Sequence, residues 1–311
     1  MPYQHGNGFI FGTVYSVVYQ YDDNLDSLII DRLNTIDASL SVFNDTSVIT
    51  KVNNNNPVSL SNDFIQVFKK AEYVSEVTNG AFDITVAPLV NLWGFGFKGN
   101  RQQNVDTHSL DSIRQFVGYE KVRISYNRIL KSDSRAILDC SGIAKGYGAD
   151  AVASLFDEKG INNYMIEIGG EIVSKGLNDK HQPWKIGITK PVDDSLSVTG
   201  ELQTMLAVNN VCMATSGNYR RFYYKNGNKY AHTIDPITGC PVQHSMLSAT
   251  VIAPSCATAD AFATAFMVMG LKRAKKLLDE HAELMAYIIY AGKNGKNDVW
   301  MSPKMKTLIC Q

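Results

Sequence analysis

The sequence has no excess of charge of either sign and no long apolar run. Its 30 lysines and arginines balance its 30 aspartates and glutamates, so it lacks the sustained positive potential that binds nucleic acid. No apolar run reaches the roughly 18 residues that a membrane-spanning helix needs. The first residues, MPYQHGNGFIFGTVYSVVYQ, lack the basic and apolar stretches of a signal peptide. Because the net charge is zero, any anionic ligand must be held by individual groups at its binding site rather than by the overall charge of the protein.

Cysteine is scarce and poorly placed for disulfide or metal chemistry. The five cysteines are odd in number and widely spaced, and no two of them form a CxxC pair. We therefore expect mostly buried thiols at Cys140, Cys212, Cys240, Cys256 and Cys310. With 311 residues and 45% hydrophobic content, the chain is long enough to bury a substantial core.

The order of predicted elements favours an α+β fold over a doubly wound sheet. FIFGTVYSVVYQY, residues 9–21, alternates apolar with small or polar residues and predicts one opening strand. After about residue 120 strands dominate, several joined as hairpins, and helices interrupt them irregularly. We expect mostly antiparallel sheets with inserted helices. Helices are predicted in NLDSLIIDRLNTIDASL, residues 24–40, and from Phe64 to a stop at Asn79-Gly80. Two more are predicted over residues 143–159 and 256–269, the last ended by Gly270.

Asp260 lies in the Ala-rich apolar run SATVIAPSCATADAFATAFMVMG, where a carboxylate is costly unless something compensates its charge. Thr264 follows four residues later, so both side chains project from one helix face. A few hard oxygen ligands suit Mg²⁺, which keeps waters and shares positions with substrate phosphates. Alternatively, Asp260 caps or pairs locally in the first turns of its helix, where the helix dipole favours negative charge. The spacing leaves both interpretations open.

The stretch LDCSGIAKGYGAD, residues 138–150, predicts a strand end, a turn of small residues and the start of a helix. Such a turn offers free backbone N–H groups to an anion. Lys145 falls in the first helical turn, where a cation opposes the helix dipole unless an anion lies nearby. The stretch matches neither the Walker nor the dinucleotide-binding fingerprint. A phosphate site and an ordinary turn both stay open.

Polar side chains also gather in residues 214–242, around a predicted hairpin and a turn punctuated by Pro and Gly. Arg220 and Arg221 could clamp a phosphate, and His232 could act as a general base near neutral pH. The alternative is a surface hairpin in which Asp235 forms an Asp-Pro turn.

An aromatic and Gly-rich stretch, GAFDITVAPLVNLWGFGF, surrounds Asp83 in residues 80–97. It could wall a flat aromatic ligand. Equally, Trp93, Phe95 and Phe97 could be core or lid residues, with the glycines permitting turns.

Taken in order, these segments resemble the FAD:protein FMN transferase family of ApbE-like proteins. The resemblance runs from about residue 9 to 290 and implies a T-fold-like ApbE architecture. It implies a single unit over residues 1–311, built as one body or as two subdomains with FAD between them. The matching stretches are FGTVYSV, SVFNDTSVITKVN, GAFDITVAPLVNLWGFG, LDCSGIAKGYGAD, IEIGGEI, TSGNYRRFY, HTIDPITGCPV and VIAPSCATADAFATA.

The resemblance also implies roles for individual residues. It gives Mg²⁺ the side-chain oxygens of Asp260 and Thr264 and the carbonyl of Gly142. It places along FAD the residues Phe11, Phe43, Ala81, Phe82, Asp83, Asp139, Lys145 and Ile234. The sequence departs from the family pattern at Phe11, where many relatives have Met, and at Cys140, where an aliphatic residue is usual.

The implied reaction is Mg²⁺-dependent transfer of FMN from FAD to a Ser or Thr hydroxyl of a target protein, with AMP as leaving group. His232 is the candidate base, with Asp235 or Asp83 as alternates. A rival function, an FAD pyrophosphatase that yields FMN and AMP, would use the same residues. A second rival is a flavin-binding protein without turnover, but Asp260, Thr264 and His232 together argue against it, because binding alone does not require that set. Family habit implies an acceptor in a redox-driven membrane complex and a lipid-anchored, outward-facing or periplasmic location. A cytoplasmic location stays open because no signal is visible.

Overall fold

The computed structural model describes residues 1–96, 105–191, 201–218, 222–225, 228–293 and 296–310. Its strands are β1 (Tyr3–Ile10), β2 (Thr13–Gln20), β3 (Val122–Ser125), β4 (Arg128–Lys131), β5 (Tyr164–Ile168), β6 (Glu171–Lys175), β7 (Trp184–Thr189), β8 (Leu202–Val208), β9 (Val211–Gly217), β10 (Phe222–Lys225), β11 (Asn228–Ala231), β12 (Met246–Ala253), β13 (Met285–Ala291) and β14 (Asn297–Met301). Its helices are α1 (Asp26–Leu40), α2 (Val48–Asn53), α3 (Asn62–Val77), α4 (Ala87–Leu92), α5 (Thr107–Arg114), α6 (Ala144–Glu158), α7 (Cys256–Glu280) and α8 (Pro303–Lys306).

One eight-stranded sheet organises these elements, in the order β1-β2-β5-β6-β9-β12-β13-β14. Every neighbouring pair in it is antiparallel. The predicted α+β class with antiparallel sheets and inserted helices is therefore confirmed. None of the helices in the described ranges is both long and apolar enough to cross a membrane.

The prediction of one opening strand over residues 9–21 is wrong, because the chain reverses at Phe11 and Gly12. Both residues have positive φ, +52° and +73°, and Ile10 pairs with Thr13 across the turn. This is the backbone that a two-residue hairpin turn requires, usually supplied by Asn-Gly or Gly-Gly. The apolar alternation runs through the turn without a break, so it conceals the end of β1 and the start of β2.

Helices cover one face of the sheet. Alternation along β12 directs Val251 into the core beneath α7, while α1 and α6 cover β1, β2, β5 and β6. A partly buried ion pair connects the helices of this layer. The Arg32 guanidinium on α1 donates two hydrogen bonds to the buried Asp63 on α3, and the Tyr147 hydroxyl on α6 donates a third. The three hydrogen bonds satisfy a carboxylate that would otherwise be costly to bury.

The β7–β8 hairpin and α8 cover the opposite face. Trp184 and Ile186 of the hairpin pack with Ile172, Ile252 and other side chains that alternate away from the helices. The sheet therefore has two apolar faces, and a polar side chain that points toward the helices can be sealed from solvent.

The five cysteines are all free thiols. Cys140 and Cys256 are buried, whereas the other three are only half-buried. Burial raises the pKa of the Cys140 thiol well above its usual range, so it stays protonated at neutral pH.

Gly270 marks a kink in α7 rather than its end. Its backbone leaves the helical region at φ +73° and ψ +165°, and the helix resumes to Glu280. The carbonyls freed at the kink find donors from other side chains. His244 Nε2 donates to the carbonyl of Met267 at 2.9 Å, and Arg273 donates to the carbonyls of Val268 and Met269.

His244 should make the fold sensitive to acid. Its Nε2 donates to Met267 and its Nδ1 accepts the Met246 N–H at 3.3 Å, an arrangement that only the neutral ring provides. Burial lowers the pKa of His244 below its ordinary 6.5. The unfolded chain therefore takes up a proton first as the pH falls below 6.5, and the free energy of unfolding drops by at most about 1.4 kcal/mol per pH unit.

Urea unfolding at pH 7.5 and 5.5 measures this loss. We expect His244→Gln to reduce the difference between the two pH values. His5→Gln is the control, because His5 is an exposed residue on β1, and it should leave most of the difference in place. An equal pH dependence in His244→Gln and the native chain would contradict the assignment.

Candidate active site

The crossing of α6 and α7 forms the centre of the candidate site. A Cβ at Gly146 would lie 2.3 Å from the carbonyl oxygen of Cys256, so a glycine is needed for the two helices to come this close. The Gly146 N–H donates to Asp260 Oδ2 at 3.2 Å. Asp260 is thus paired with the first turn of α6. The sequence had also allowed Asp260 to cap or pair within its own helix, and the observed partner is on a different helix.

Asp150 fixes the N-terminus of α7 against α6. Its two carboxylate oxygens accept the N–H groups of Cys256 and Ala257 at 2.7 and 2.9 Å. Ser255 adds its own cap by accepting the Thr258 N–H. These bonds satisfy donors that every helix leaves free at its N-terminus, and they set the position from which Asp260 projects.

Glu171 joins Asp260 and Lys145 in a buried charge cluster. It opens β6 directly after Gly169 and Gly170, whose φ values of +62° and +101° make a tight turn. Alternation places Glu171 on the helix side of the sheet, where its Oε1 lies 2.6 Å from Lys145 Nζ. Glu171 was not identified as a site residue from the sequence. Its position, directly after a Gly-Gly turn and at the start of an apolar strand, could have indicated a buried acid.

The charged groups in this cluster shift one another's pKa values. Burial raises the pKa of Asp260, opposed by the charge of Lys145 and the N–H of Gly146. Burial and the charge of Asp260 raise the pKa of Glu171 to about 8, while Lys145 opposes that shift. Burial alone would lower the pKa of Lys145, but the two acids together raise it. With both acids ionised the cluster carries one uncompensated negative charge, which favours a cation.

Oxygen atoms suited to Mg²⁺ lie beside this cluster. Thr264 projects from α7 one turn after Asp260, and its Oγ1 lies 3.2 Å from Ser216 Oγ on β9. A Cβ built on Gly142 would meet Thr264 Oγ1 at 3.3 Å, so the Gly142 backbone adjoins the hydroxyl. Within the described ranges no group of three or more His, Cys, Asp or Glu side chains could hold a metal. A site here would combine one carboxylate, a hydroxyl and a carbonyl, a donor set that Mg²⁺ accepts when waters complete it.

Glu171 also bears on whether a hydrated cation fits. Its Oε2 is buried and has no hydrogen-bond partner in the described part of the chain. Buried polar atoms without partners are rare and often mark a missing water or ion. The residues present therefore fit a hydrated divalent cation.

The loop before α6 is held from two sides. Asn53, at the end of α2, pairs with both backbone groups of Leu138, donating to its carbonyl and accepting its N–H, each at 2.8 Å. The Asp139 N–H donates to the carbonyl of Ile84 at 2.7 Å, and its carboxylate accepts from the Ser141 backbone and hydroxyl. These contacts position Gly142, and the role of Asn53 was not visible in the polar run that contains it.

Asp83 lies in a separate, neighbouring environment. Its Oδ1 accepts the backbone N–H and the hydroxyl of Thr85, each at 2.7 Å. Burial raises its pKa to about 6, although these bonds oppose the shift. Beside it an open pocket of about 490 Å³ reaches to Tyr119 and Ile237. The adjoining Ala81 and Phe82 are buried, and Phe82 approaches Gly142, so this segment links the pocket to the cluster.

The segment after β11 carries His232, Ile234 and Asp235. His232 is half-buried, and its ring meets Phe95 edge-on with centroids 6.5 Å apart. Ile234 is buried and bridges to Pro241, while Asp235 Oδ1 accepts the Ile237 N–H at 2.9 Å. The Asp235 carboxylate therefore stabilises the turn, in agreement with the alternative interpretation in which Asp235 forms an Asp-Pro turn.

The aromatic residues around the site differ in how closely they contact it. Trp93 Nε1 donates to the Gly239 carbonyl at 2.7 Å and so joins the 80–96 segment to this turn. The Phe11 ring packs near Gly148 on α6, whereas Phe43 is 77% exposed in the loop after α1. The remaining candidates of the sequence, Phe97, Arg220 and Arg221, lie outside the described residues.

The antiparallel sheet, the crossing helices and the buried charge cluster define an α+β protein whose oxygen donors at the helix crossing fit a hydrated cation. The chain belongs to the ApbE family, whose model matches residues 11–289. It is 36% identical to a protein of Haemophilus influenzae named FAD:protein FMN transferase, over 93% of this chain and 87% of that protein. A protein of the same name from Vibrio cholerae is 39% identical over 86% of this chain and 82% of its own length.

Solved structures agree with this membership. The structure of the flavin transferase ApbE from Vibrio cholerae is 35% identical, with a TM-score of 0.88 over 99% of each chain. That of the flavinyl transferase ApbE from Pseudomonas stutzeri is 26% identical, also with a TM-score of 0.88, over 99% of this chain and 96% of the other. The ApbE-like architecture expected from the sequence is confirmed.

Removing the Asp150 carboxylate should destabilise the protein through α7. Asp150→Ala leaves the N–H groups of Cys256 and Ala257 without their acceptors, and we expect a loss of about 2–3 kcal/mol in the free energy of unfolding. Glu158→Ala is the control on the same helix, because the Glu158 side chain is exposed to solvent. It should cost about 0.5 kcal/mol or less. Equal losses in the two variants, measured by urea unfolding, would contradict the capping role.

Proposed function

We propose that this protein transfers FMN from FAD to a Ser or Thr hydroxyl of an acceptor protein, releasing AMP. The name that its relatives carry supports transfer of FMN from FAD to protein. The observation that carries the proposal is the buried Asp260, paired with the first turn of α6 and one helical turn from Thr264. Such a costly carboxylate is expected where a cation and a phosphate group are to be bound.

The transfer is a displacement at phosphorus. The acceptor hydroxyl oxygen attacks the FMN-side phosphorus of FAD and forms a phosphoester bond. The bond from that phosphorus to the bridging oxygen breaks, and AMP leaves with that oxygen. The hydroxyl proton passes to a base, so atoms and charges balance. Positioning and charge neutralisation account for most of the catalysis in such a reaction.

Asp260, Thr264 and the Gly142 carbonyl are the residues that would hold Mg²⁺. When bound, the ion neutralises diphosphate oxygens and stabilises the charge that develops on the leaving phosphate. Lys145 projects from the first turn of α6 into the same region, and its ammonium favours binding of the anionic diphosphate.

His232 is the candidate base that the contacts favour. Asp235 already stabilises its own turn and Asp83 is bonded to Thr85. The His232 ring is half-buried against Phe95. Phe95 belongs to the 80–96 segment, which also carries Asp83 beside the pocket. An acceptor in a redox-driven membrane complex, a lipid anchor and a periplasmic location are proposed on family habit.

Asp260→Ala should abolish Mg²⁺-dependent modification of an acceptor. The variant removes the carboxylate of the proposed cation site, so we expect at least about a hundredfold lower rate with the fold retained. The measurement is mass spectrometry of an acceptor domain incubated with protein, FAD and Mg²⁺. The domain carries the Asp-x-x-Ser/Thr-Gly-Ala-Ser/Thr-like sequence that the family resemblance implies for acceptors. A reaction with chelator establishes the cation requirement.

Asp279→Ala is the matched control, since Asp279 is an exposed carboxylate near the end of the same helix. It should leave the rate unchanged. Normal modification by Asp260→Ala would overturn the cation site. Release of FMN and AMP without an adduct would favour a pyrophosphatase, and intact FAD with native protein would favour a flavin-binding protein.

His232→Ala should lower the rate and leave FAD binding intact. Loss of a general base typically costs about 10²–10⁴-fold in rate, and a loose transition state at phosphorus places the expectation at the lower end of that range. FAD affinity is measured by fluorescence quenching alongside the adduct assay. If FAD binding is lost together with the rate, His232 positions substrate and is not the base.

A further inference from the structure

Glu171 is buried, and only one of its two carboxylate oxygens has a partner among the described residues. Its side chain is 2% exposed, Oε1 contacts Lys145, and Oε2 has no hydrogen-bond partner among the described residues. An unpaired buried acceptor costs stability, and a neutral apolar side chain would avoid that cost. The fold therefore does not explain this glutamate, which points to an effect on the neighbouring charges.

Lys145 lies near two acids but contacts only one of them. Its charge interacts with both Asp260 and Glu171. Across the described residues, however, Nζ forms its close ion pair with Glu171, at 2.6 Å. The hydrogen bond that Asp260 accepts comes instead from the backbone of Gly146. Among the described residues, the Asp260 carboxylate is thereby left without a cation in direct contact.

We propose that Glu171 is a positioning residue that holds Lys145 away from Asp260 and so keeps Asp260 available to a divalent cation. The inference rests on the proposed function only in taking Asp260 as a cation ligand. Lysine has a long flexible stem. Without the charge at position 171, the ammonium turns to Asp260 as its remaining anionic neighbour and competes with the divalent cation for the same carboxylate.

The first test is Mg²⁺ binding without FAD, so the readout does not depend on catalysis. Mg²⁺ is titrated by calorimetry at pH 8.5, above the pKa of about 8 of Glu171, and the rise in melting temperature is followed in parallel. We expect Glu171→Gln to weaken Mg²⁺ binding about tenfold. Glu167→Gln, an exposed glutamate on the other strand of the same hairpin, should bind as the native chain does.

A double-mutant cycle separates positioning from direct attraction. Lys145→Met removes the competing ammonium, so the effect of Glu171→Gln should largely disappear in the Lys145→Met background. If Glu171 instead attracts the cation directly, Glu171→Gln weakens binding by the same factor whether or not Lys145 is present. Equal factors in the two backgrounds would overturn the proposal.

Glu171→Asp provides a second variant, because it keeps the charge but shortens the reach to Lys145. It should weaken Mg²⁺ binding, and again only while Lys145 is present. Native protein that binds Mg²⁺ through Asp260, together with unaffected binding in Glu171→Gln, would overturn this inference alone. Native protein that binds no Mg²⁺, with or without FAD, would overturn the cation site in the proposed function as well.

Discussion

The close contact between α6 and α7 is the constraint on which the candidate site depends. Gly146 lets the backbones approach, its N–H meets Asp260, and Asp150 holds the start of α7 in return. Each contact joins residues that are far apart in the sequence, and together they fix the distance between Lys145 and Asp260. The sheet supplies Glu171 from below, so two helices and one strand enclose charges that none of them could stabilise alone.

Sequence spacing predicted the parts of the site that lie within one element. Asp260 and Thr264 share α7, and Lys145 is in the first turn of α6, as periodicity indicated. Glu171 was missed because its partners are distant in the chain, and periodicity carries no information on contacts between elements. Asn53 was missed for the same reason, since a polar run before a proline is typical of an exposed loop.

The errors in the fold prediction have local physical causes. The hairpin between β1 and β2 turns at Phe11, a bulky residue with positive φ that no turn rule favours. Gly270 was a reasonable helix end, but His244 and Arg273 bond the freed carbonyls, so the helix continues beyond the kink. In both places tertiary contacts stabilise a backbone that the local sequence would not select.

The position of Asp260 near the end of the chain has a consequence for synthesis and folding. Lys145 and Glu171 leave the ribosome long before Asp260, and β9 can acquire its β12 neighbour only after residue 253. Contacts at such separation form late, because the chain must first close large loops. A nascent chain therefore carries no complete charge cluster, and it cannot capture a cation or a nucleotide in a half-built site before α7 is in place.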